Sequence, residues 1–190
     1  MENVNNIIAN NQFKSAAHQT ACEKSYFAQP YSLEATGFYF SDLADYEGKA
    51  EACKDFRGNL VEEFEIQYID GDDGALFNAC GINQANLGKW FDDVEVLDDN
   101  EKAALFYLVS MTGYSVADAL DKTDDVILCT GHLEDAAEEL FDECYAHSIP
   151  ENLRNYIDYK AFANDCQQSG DMCEFEYEGE TYTCTNASGI

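Results

Sequence analysis

Apolar side chains recur three or four positions apart over residues 133–145, which is the spacing of one side of a helix. They are Leu133, Ala136, Ala137, Leu140, Phe141, Cys144 and Tyr145. The opposite side collects carboxylates only: Glu134, Asp135, Glu138, Glu139, Asp142 and Glu143. The pattern therefore predicts an amphipathic helix with a wholly acidic outer face.

Residues 173–184, "CEFEYEGETYTC", alternate with a period of two and predict a β-hairpin. One side of it carries Cys173, Phe175 and Tyr177. The other side carries Glu174, Glu176 and Glu178. The hairpin thus adds a second acidic row to the C-terminal part of the chain.

Shorter patterns mark the elements of the N-terminal half. "GFYFSDL" (37–43) and "FEIQYI" (64–69) predict strands, and "YEGKAEACKDF" (46–56) between them predicts a short helix. "DGDDG" (70–74) predicts a turn after the second strand. Residues 1–30 are rich in Asn, Gln and Ala without a clear period, so we expect a flexible extension there.

The middle of the chain is helical in pattern. "LDDNEKAALFYLVSMTG" (97–113) begins with acidic residues and ends at a glycine, as helices commonly do. Its centre is apolar nearly all round, which predicts burial in a small bundle or against a second subunit. Ser115 is placed to cap a helix over 115–120, and Ser148 and Glu151 are spaced as a capping box beside Pro150.

Together these elements predict an α+β protein with three small folded units after the extension. The expected divisions are 1–30 for the flexible extension, 31–77 for an α+β domain, 78–125 for a helical bundle, and 126–190 for helices with a C-terminal hairpin or small antiparallel sheet.

Charge changes this picture most. The 190 residues contain 38 acidic and 10 basic side chains, giving a formal net charge of −28. All three units are acidic, with 12 carboxylates against 3 cations, 10 against 3, and 14 against 2. Such a surface is repelled by nucleic acid and by anionic membranes and is attracted to basic partners.

Location and thiol state follow from composition. The start shows neither a basic segment nor an apolar run typical of a signal peptide, and "AALFYLV" (103–109), the longest apolar run, is too short to span a bilayer. We therefore expect a cytoplasmic protein whose eight cysteines are free thiols.

Conventional site chemistry has little support. Cys129-x-x-His132 and Cys144-x-x-His147 resemble zinc ligand pairs, but an intact helix over 133–145 separates them by about 18 Å. The acidic segment 70–81 lacks the glycine and the final glutamate of a calcium loop. No catalytic motif is present, so the sequence predicts neither an enzyme nor a metal or cofactor site.

The spacing of the carboxylates suggests another use for them. Like charges four positions apart cost the acidic helix about 1–2 kcal/mol in all, which a packed fold can tolerate. Carboxylates lie about 6 Å apart along a helix and about 6.6 Å apart along a strand, a charge density of the order found on DNA. An acidic face that serves only solubility, as in salt-adapted proteins, is the simpler alternative.

A family resemblance gives this hypothesis a specific form. Residues 132–166, "HLEDAAEELFDECYAHSIPENLRNYIDYKAFANDC", resemble the C-terminal region of the ArdA antirestriction family. Upstream, "GFYFSDLADYEGKAEACKDF" and "FEIQYIDG" are similar to a strand, a helix and a second strand of that family. The resemblance extends over about residues 31–184.

The resemblance implies an elongated three-domain chain that forms homodimers shaped like bent B-DNA and is encoded on mobile genetic elements. It implies that the dimer occupies the DNA-binding groove of Type I restriction-modification enzymes, at their specificity and methyltransferase subunits, without catalysis or cofactor. The phosphate surrogates would be the carboxylates of the predicted helix and hairpin together with Glu62, Glu63, Glu65, Asp70, Asp72 and Asp73.

Two alternatives stay open at this point. The acidic surface could imitate DNA toward another defence complex, such as a CRISPR effector. The protein could also be an acidic structural or metal-buffering module.

Overall fold

The structure, a computed structural model, describes residues 24–190. Its first sheet is antiparallel and contains β1 (Ser25–Pro30), β2 (Phe38–Phe40) and β3 (Phe64–Asp70), with β1 in the centre. Phe64 and Ile66 of β3 are buried and Glu65 is exposed, so the predicted alternation of this strand is confirmed.

The central strand β1 corrects the predicted N-terminal extension. Residues 25–30 were expected to be flexible, yet they pair with both β2 and β3. Every second side chain of β1 is buried, and Tyr26 and Ala28 are fully so. Because this apolar alternation is short and follows an Asn- and Gln-rich stretch, it gives a weak signal in the sequence. The remainder of the predicted extension, 1–23, lies outside the described residues.

Helix α1 (Leu43–Ala52) begins three residues before the predicted start and ends four before the predicted end. The Asp42 carboxylate accepts a hydrogen bond from the Asp45 N–H at 2.8 Å and so caps the helix at the earlier position. The predicted turn at 70–74 is confirmed over residues 71–73, which lie between the end of β3 at Asp70 and the start of α2 (Gly74–Ala79).

The middle of the chain is helical, as predicted. It contains α3 (Leu87–Lys89), a π-helical turn (Trp90–Val94), α4 (Asp99–Ser110) and α5 (Val116–Leu120). Ser115 caps α5 by accepting from the Asp118 N–H, which confirms its predicted role. None of the helices in the described part of the chain has the length and apolar character that crossing a membrane requires.

Helix α4 is mostly buried and contacts several other elements. Six of its residues are buried, and its faces contact α2, α5 and the C-terminal hairpin. Phe106 and Tyr107 both pack on Phe175 of that hairpin. Their ring centroids lie 6.3 and 5.3 Å, respectively, from the Phe175 centroid. The nearly uniform apolar character of α4 is thus explained by burial within this chain.

The C-terminal part combines a second antiparallel sheet with three helices. The elements are β4 (Leu128–Thr130), α6 (Leu133–Cys144), α7 (Glu151–Arg154), α8 (Tyr159–Ser169), β5 (Cys173–Tyr177) and β6 (Glu180–Cys184). The sheet order is β4, β6, β5. Glu178 and Gly179 both have positive φ, 48° and 81°, as a two-residue hairpin turn of this hand requires.

The predicted capping box at Ser148 is wrong. Ser148 belongs to a separate 3-10 turn (Ala146–Ser148), and α7 starts after Pro150, whose side chain cannot cap the helix. Helix α7 therefore starts without a side-chain cap.

One hydrophobic core runs through most of the described chain. It extends from Tyr26 of β1 through Trp90 and Leu105 to Tyr182 of the hairpin. A smaller core joins α6 and α8. The α+β class is therefore confirmed. The larger core crosses both proposed domain boundaries and so does not separate three domains. The division into three domains stays a prediction.

Candidate functional site

The acidic helix predicted from the sequence is present as α6, and its carboxylates form one exposed surface. All six are exposed: Glu134, Asp135, Glu138, Glu139, Asp142 and Glu143. We call this set the acidic row. On the other side of the helix Leu133, Ala136 and Ala137 are buried. The predicted separation of charge and apolar side chains is therefore confirmed.

The apolar side of α6 fixes the acidic row to the protein. Leu133 and Ala137 pack with Ala163 and Cys166 of α8. Further along, the Phe141 ring contacts the rings of its neighbours at centroid distances between 5.2 and 5.6 Å: Tyr145, Tyr159 and Phe162. Cys144 and Tyr145, which end the predicted stripe, are exposed.

The row affects the titration of its neighbours. The Tyr159 hydroxyl donates to Asp142 at 3.0 Å, and this hydrogen bond to a carboxylate raises the pKa of Tyr159. Burial and the nearby Glu139 and Glu143 raise the pKa of the Cys129 thiol. Both shifts have the sign expected beside a concentrated negative charge.

The hairpin carboxylates differ in their surroundings. Glu176 and Glu178 are exposed, as predicted, whereas Glu174 is half-buried. Glu174 accepts a hydrogen bond from the Leu133 N–H at 2.6 Å and lies 3.5 Å from His132 Nδ1. A carboxylate at the start of a helix satisfies its free N–H groups and complements its dipole. Glu174 therefore anchors the first turn of α6, which is a structural role and not the exposed one predicted for it.

Glu178 connects two distant parts of the chain. Its Oε1 atom accepts a hydrogen bond from the Ala75 N–H, at the start of α2, at 3.1 Å. One carboxylate oxygen is thus engaged within the protein, while the side chain stays exposed to a partner. The tip of the hairpin is thereby held against the β3–α2 turn.

Five of the six candidate carboxylates in the first unit are exposed: Glu62, Glu63, Glu65, Asp70 and Asp72. Asp73 is the exception, because it is buried with 5% of its surface exposed. Its Oδ2 atom lies 2.7 Å from Lys24 Nζ and 3.1 Å from Lys102 Nζ. The structure therefore corrects the prediction for Asp73, which is neutralised inside the protein and cannot present a charge to a partner.

The surroundings of Asp73 determine its titration. Burial alone raises the pKa of a carboxyl group, but the hydrogen bonds and charges of Lys24 and Lys102 outweigh burial here and lower the pKa of Asp73. Asp73 therefore stays ionised, and it joins α4 to the segment that precedes β1.

The sequence-based candidates did not include the middle of the chain. Eight aspartates there are exposed: Asp92, Asp93, Asp98, Asp99, Asp118, Asp121, Asp124 and Asp125. They follow no single helical or strand period, so pattern alone did not select them. The excess of 10 carboxylates over 3 cations in this unit was the available signal.

Metal-ligand geometry is not found in the described part of the chain, where no group of three or more His, Cys, Asp or Glu side chains could hold an ion. The two Cys-x-x-His pairs lie at opposite ends of the unbroken α6. Within the segment 70–81, α2 begins at Gly74 and Asp73 is bound by lysines.

The comparison with protein families bears directly on this acidic surface. Residues 85–179 match the family model of the antirestriction protein ArdA. The chain belongs to the ArdA antirestriction family. Membership implies an antirestriction function and, as targets, restriction-modification enzymes. Neither the curated proteins nor the solved structures gave a match.

The ArdA match coincides with the acidic helix and its supports. It includes α4, α6, α8 and β5, and therefore the whole acidic row together with Glu174, Glu176 and Glu178. The first sheet and its exposed carboxylates lie before the matched residues.

Proposed function

We propose that this protein is an acidic mimic of B-DNA that blocks restriction and modification by Type I restriction-modification enzymes. It would occupy the DNA-binding groove formed by their specificity and methyltransferase subunits. Membership of the ArdA family supports the antirestriction part of this proposal. The charge and geometry of the surface support the mimicry.

The acidic row carries the proposal. Six carboxylates stand exposed on one helix face, and the other face of the helix is anchored in a core. A rigid row of negative charges can follow a basic groove in the way that a phosphate backbone does. Exposed carboxylates on β3 and on the hairpin extend the acidic surface to other elements.

Inhibition of this kind needs no chemistry on the target. The carboxylates would pair with the lysines and arginines that otherwise hold DNA phosphates, so binding of protein and of DNA would exclude each other. Because the contacts are electrostatic, affinity should fall as salt rises. Because they are distributed, single Asp→Asn changes should have small effects and multiple neutralisations large ones.

We also propose that two copies of the chain associate to lengthen the mimic. Exposed apolar side chains in and near α7 offer a contact surface: Tyr145 (51% exposed), Leu153 (48%) and Tyr156 (84%). They lie close in sequence to the acidic row, so pairing here would bring two rows together. Sedimentation of the wild type as a dimer and of Tyr156→Glu as a monomer would support this contact, and a monomeric wild type would refute the dimer.

The function can be tested with a purified Type I enzyme and unmodified DNA containing its target site. The protein should inhibit both cleavage and methylation when added before the DNA. E138Q/E139Q/E143Q should inhibit less than E47Q/E51Q/D121N, a control that removes the same charge from exposed positions outside the row. Full cleavage and methylation in the presence of excess protein would refute the proposal.

A further inference from the structure

A small notch lies where the β3–α2 turn, the start of α4 and the C-terminal hairpin meet. Its volume is about 220 Å³, below the range of about 300–1,000 Å³ typical of small-molecule sites. Four exposed carboxylates and two tyrosines line it: Asp72, Asp99, Glu178, Glu180, Tyr177 and Tyr182. The buried Asp73 also lines it.

The Tyr177 hydroxyl is an unusual part of this notch. The residue is 6% exposed, and its buried hydroxyl has Asp73 as a neighbour but makes no hydrogen bond of good geometry. Burial and the nearby Asp73 raise the pKa of the phenol, so it stays protonated. A buried polar atom without a partner destabilises the free protein. A donor that enters the notch and hydrogen-bonds the hydroxyl oxygen would remove part of that cost.

The charge of the notch is only partly balanced. Lys24 and Lys102 neutralise Asp73, as described above. Among the ion pairs of residues 24–190, none involves Asp72, Asp99 or Glu180. The notch therefore offers several uncompensated carboxylates around two aromatic rings, which is an environment for a cation.

A flat organic cation fits this environment better than a metal ion does. The described residues provide no group of carboxylates, thiols or imidazoles arranged to hold a metal. A guanidinium group is planar, stacks on aromatic rings, and carries five N–H donors for carboxylates on several sides. The Tyr177 hydroxyl is itself buried, so one of these donors would reach its oxygen only if the lining side chains moved.

We propose that this notch binds the guanidinium group of an arginine side chain supplied by a protein partner. The proposal rests on the proposed function for the identity of that partner, whose DNA-binding groove would be rich in arginine. The notch would then supply a specific anchor within an otherwise diffuse electrostatic interface.

Binding can be tested on the full chain by NMR titration with N-acetyl-arginine methylamide, followed at the Tyr177 and Tyr182 ring signals. The matched control ligand is N-acetyl-citrulline methylamide, which has a similar shape without the charge. The arginine derivative should bind at least about tenfold more tightly than the citrulline derivative. It should also bind more tightly than N-acetyl-lysine methylamide, which carries the same charge. Equal affinities for the arginine and lysine derivatives would overturn the proposal.

Charge-matched variants separate the notch from the general acidity of the chain. D72N/D99N/E180Q should lower arginine affinity by about tenfold or more. E47Q/E51Q/D121N, which removes three exposed charges elsewhere, should leave it nearly unchanged. Equal losses in the two variants would mean that the net charge of the protein, and not the notch, attracts the ligand.

Tyr177→Phe gives a second test that does not depend on neutralising charge. Removing a buried hydroxyl that lacks a hydrogen bond of good geometry should raise the melting temperature of the free protein or leave it unchanged, while weakening arginine binding. A lower melting temperature with undiminished arginine binding would contradict the role assigned to this hydroxyl.

The results also distinguish this proposal from the proposed function. If the arginine derivative binds at the notch but the protein does not inhibit a Type I enzyme, the notch stands and the proposed partner is wrong. If the protein inhibits the enzyme and D72N/D99N/E180Q inhibits as well as E47Q/E51Q/D121N does, mimicry stands and the notch is not its anchor.

Discussion

Asp73 and Lys102 form an ion pair inside the protein, with 3.1 Å between Asp73 Oδ2 and Lys102 Nζ. Replacing Asp73 by Asn leaves Lys102 buried without a counter-charge, and such changes cost about 3–5 kcal/mol. We expect urea denaturation of D73N to show a loss of that size. The exposed neighbour provides the control: D72N should change the free energy of unfolding by less than about 0.5 kcal/mol. Similar stabilities of D73N and D72N would show that the pair contributes little.

The ion pair of Asp73 and Lys102 predicts how the free energy of unfolding depends on pH. The pKa of Asp73 lies below its ordinary value of 3.8 in the folded state, so the folded protein binds this proton less readily than the unfolded chain does. The contribution of ionised Asp73 to the free energy of unfolding is therefore fully present above the ordinary pKa. It is lost as pH falls through the lowered pKa of the folded state. Between about pH 5 and pH 2, D73N should lose less stability than the wild type. Parallel curves for the two proteins would refute this assignment.

The sequence could not reveal this ion pair. Asp73 belongs to an acidic turn, "DGDDG", in which each aspartate has the same local pattern. Its burial depends on a lysine 29 positions away in α4 and on another before β1. Contacts between residues this far apart depend on how the elements pack. The local spacing of apolar and polar residues does not predict them. Helix α6 and the C-terminal hairpin were predictable because their own periods separate a buried side from an exposed side.

Glu174 should stabilise the start of α6. Its Oε2 atom accepts from the Leu133 N–H at 2.6 Å, and loss of a helix-capping acceptor costs about 1–2 kcal/mol. We expect E174A to be less stable than the wild type by this amount in urea denaturation. E176A, an exposed position on the same strand, is the control and should be nearly neutral. If both variants are equally stable, the contact at Leu133 does not cap the helix.

The acidic row should lower stability while it supports function. E138Q/E139Q/E143Q removes all four like-charge pairs spaced four positions apart on α6, and this should stabilise the protein by about 1–2 kcal/mol. The same variant should bind a Type I methyltransferase core more weakly than E47Q/E51Q/D121N does. Both effects are measurable, by urea denaturation and by equilibrium binding. A variant that gains stability and binds the core undiminished would show that the row serves solubility alone.

The candidate surface was predictable where charge follows a regular element, and less so elsewhere. The alternation of 173–177 placed Glu174 and Glu176 on the same side, although Glu176 is exposed and Glu174 is half-buried. The N-terminus of α6 comes close to the β5 side chain and engages it. The notch around Tyr177 combines residues from three distant segments, so its lining could be recognised only in the folded structure.

Competition with DNA tests the central claim most directly. A Type I methyltransferase core is saturated with a labelled duplex that carries its target site, and the protein is then titrated in at low and at physiological salt. We predict that the protein displaces the duplex, that duplex in excess reverses this displacement, and that the affinity of the core for the protein decreases as salt rises. A ternary complex, in which core, duplex and protein bind together without mutual exclusion, would contradict DNA mimicry.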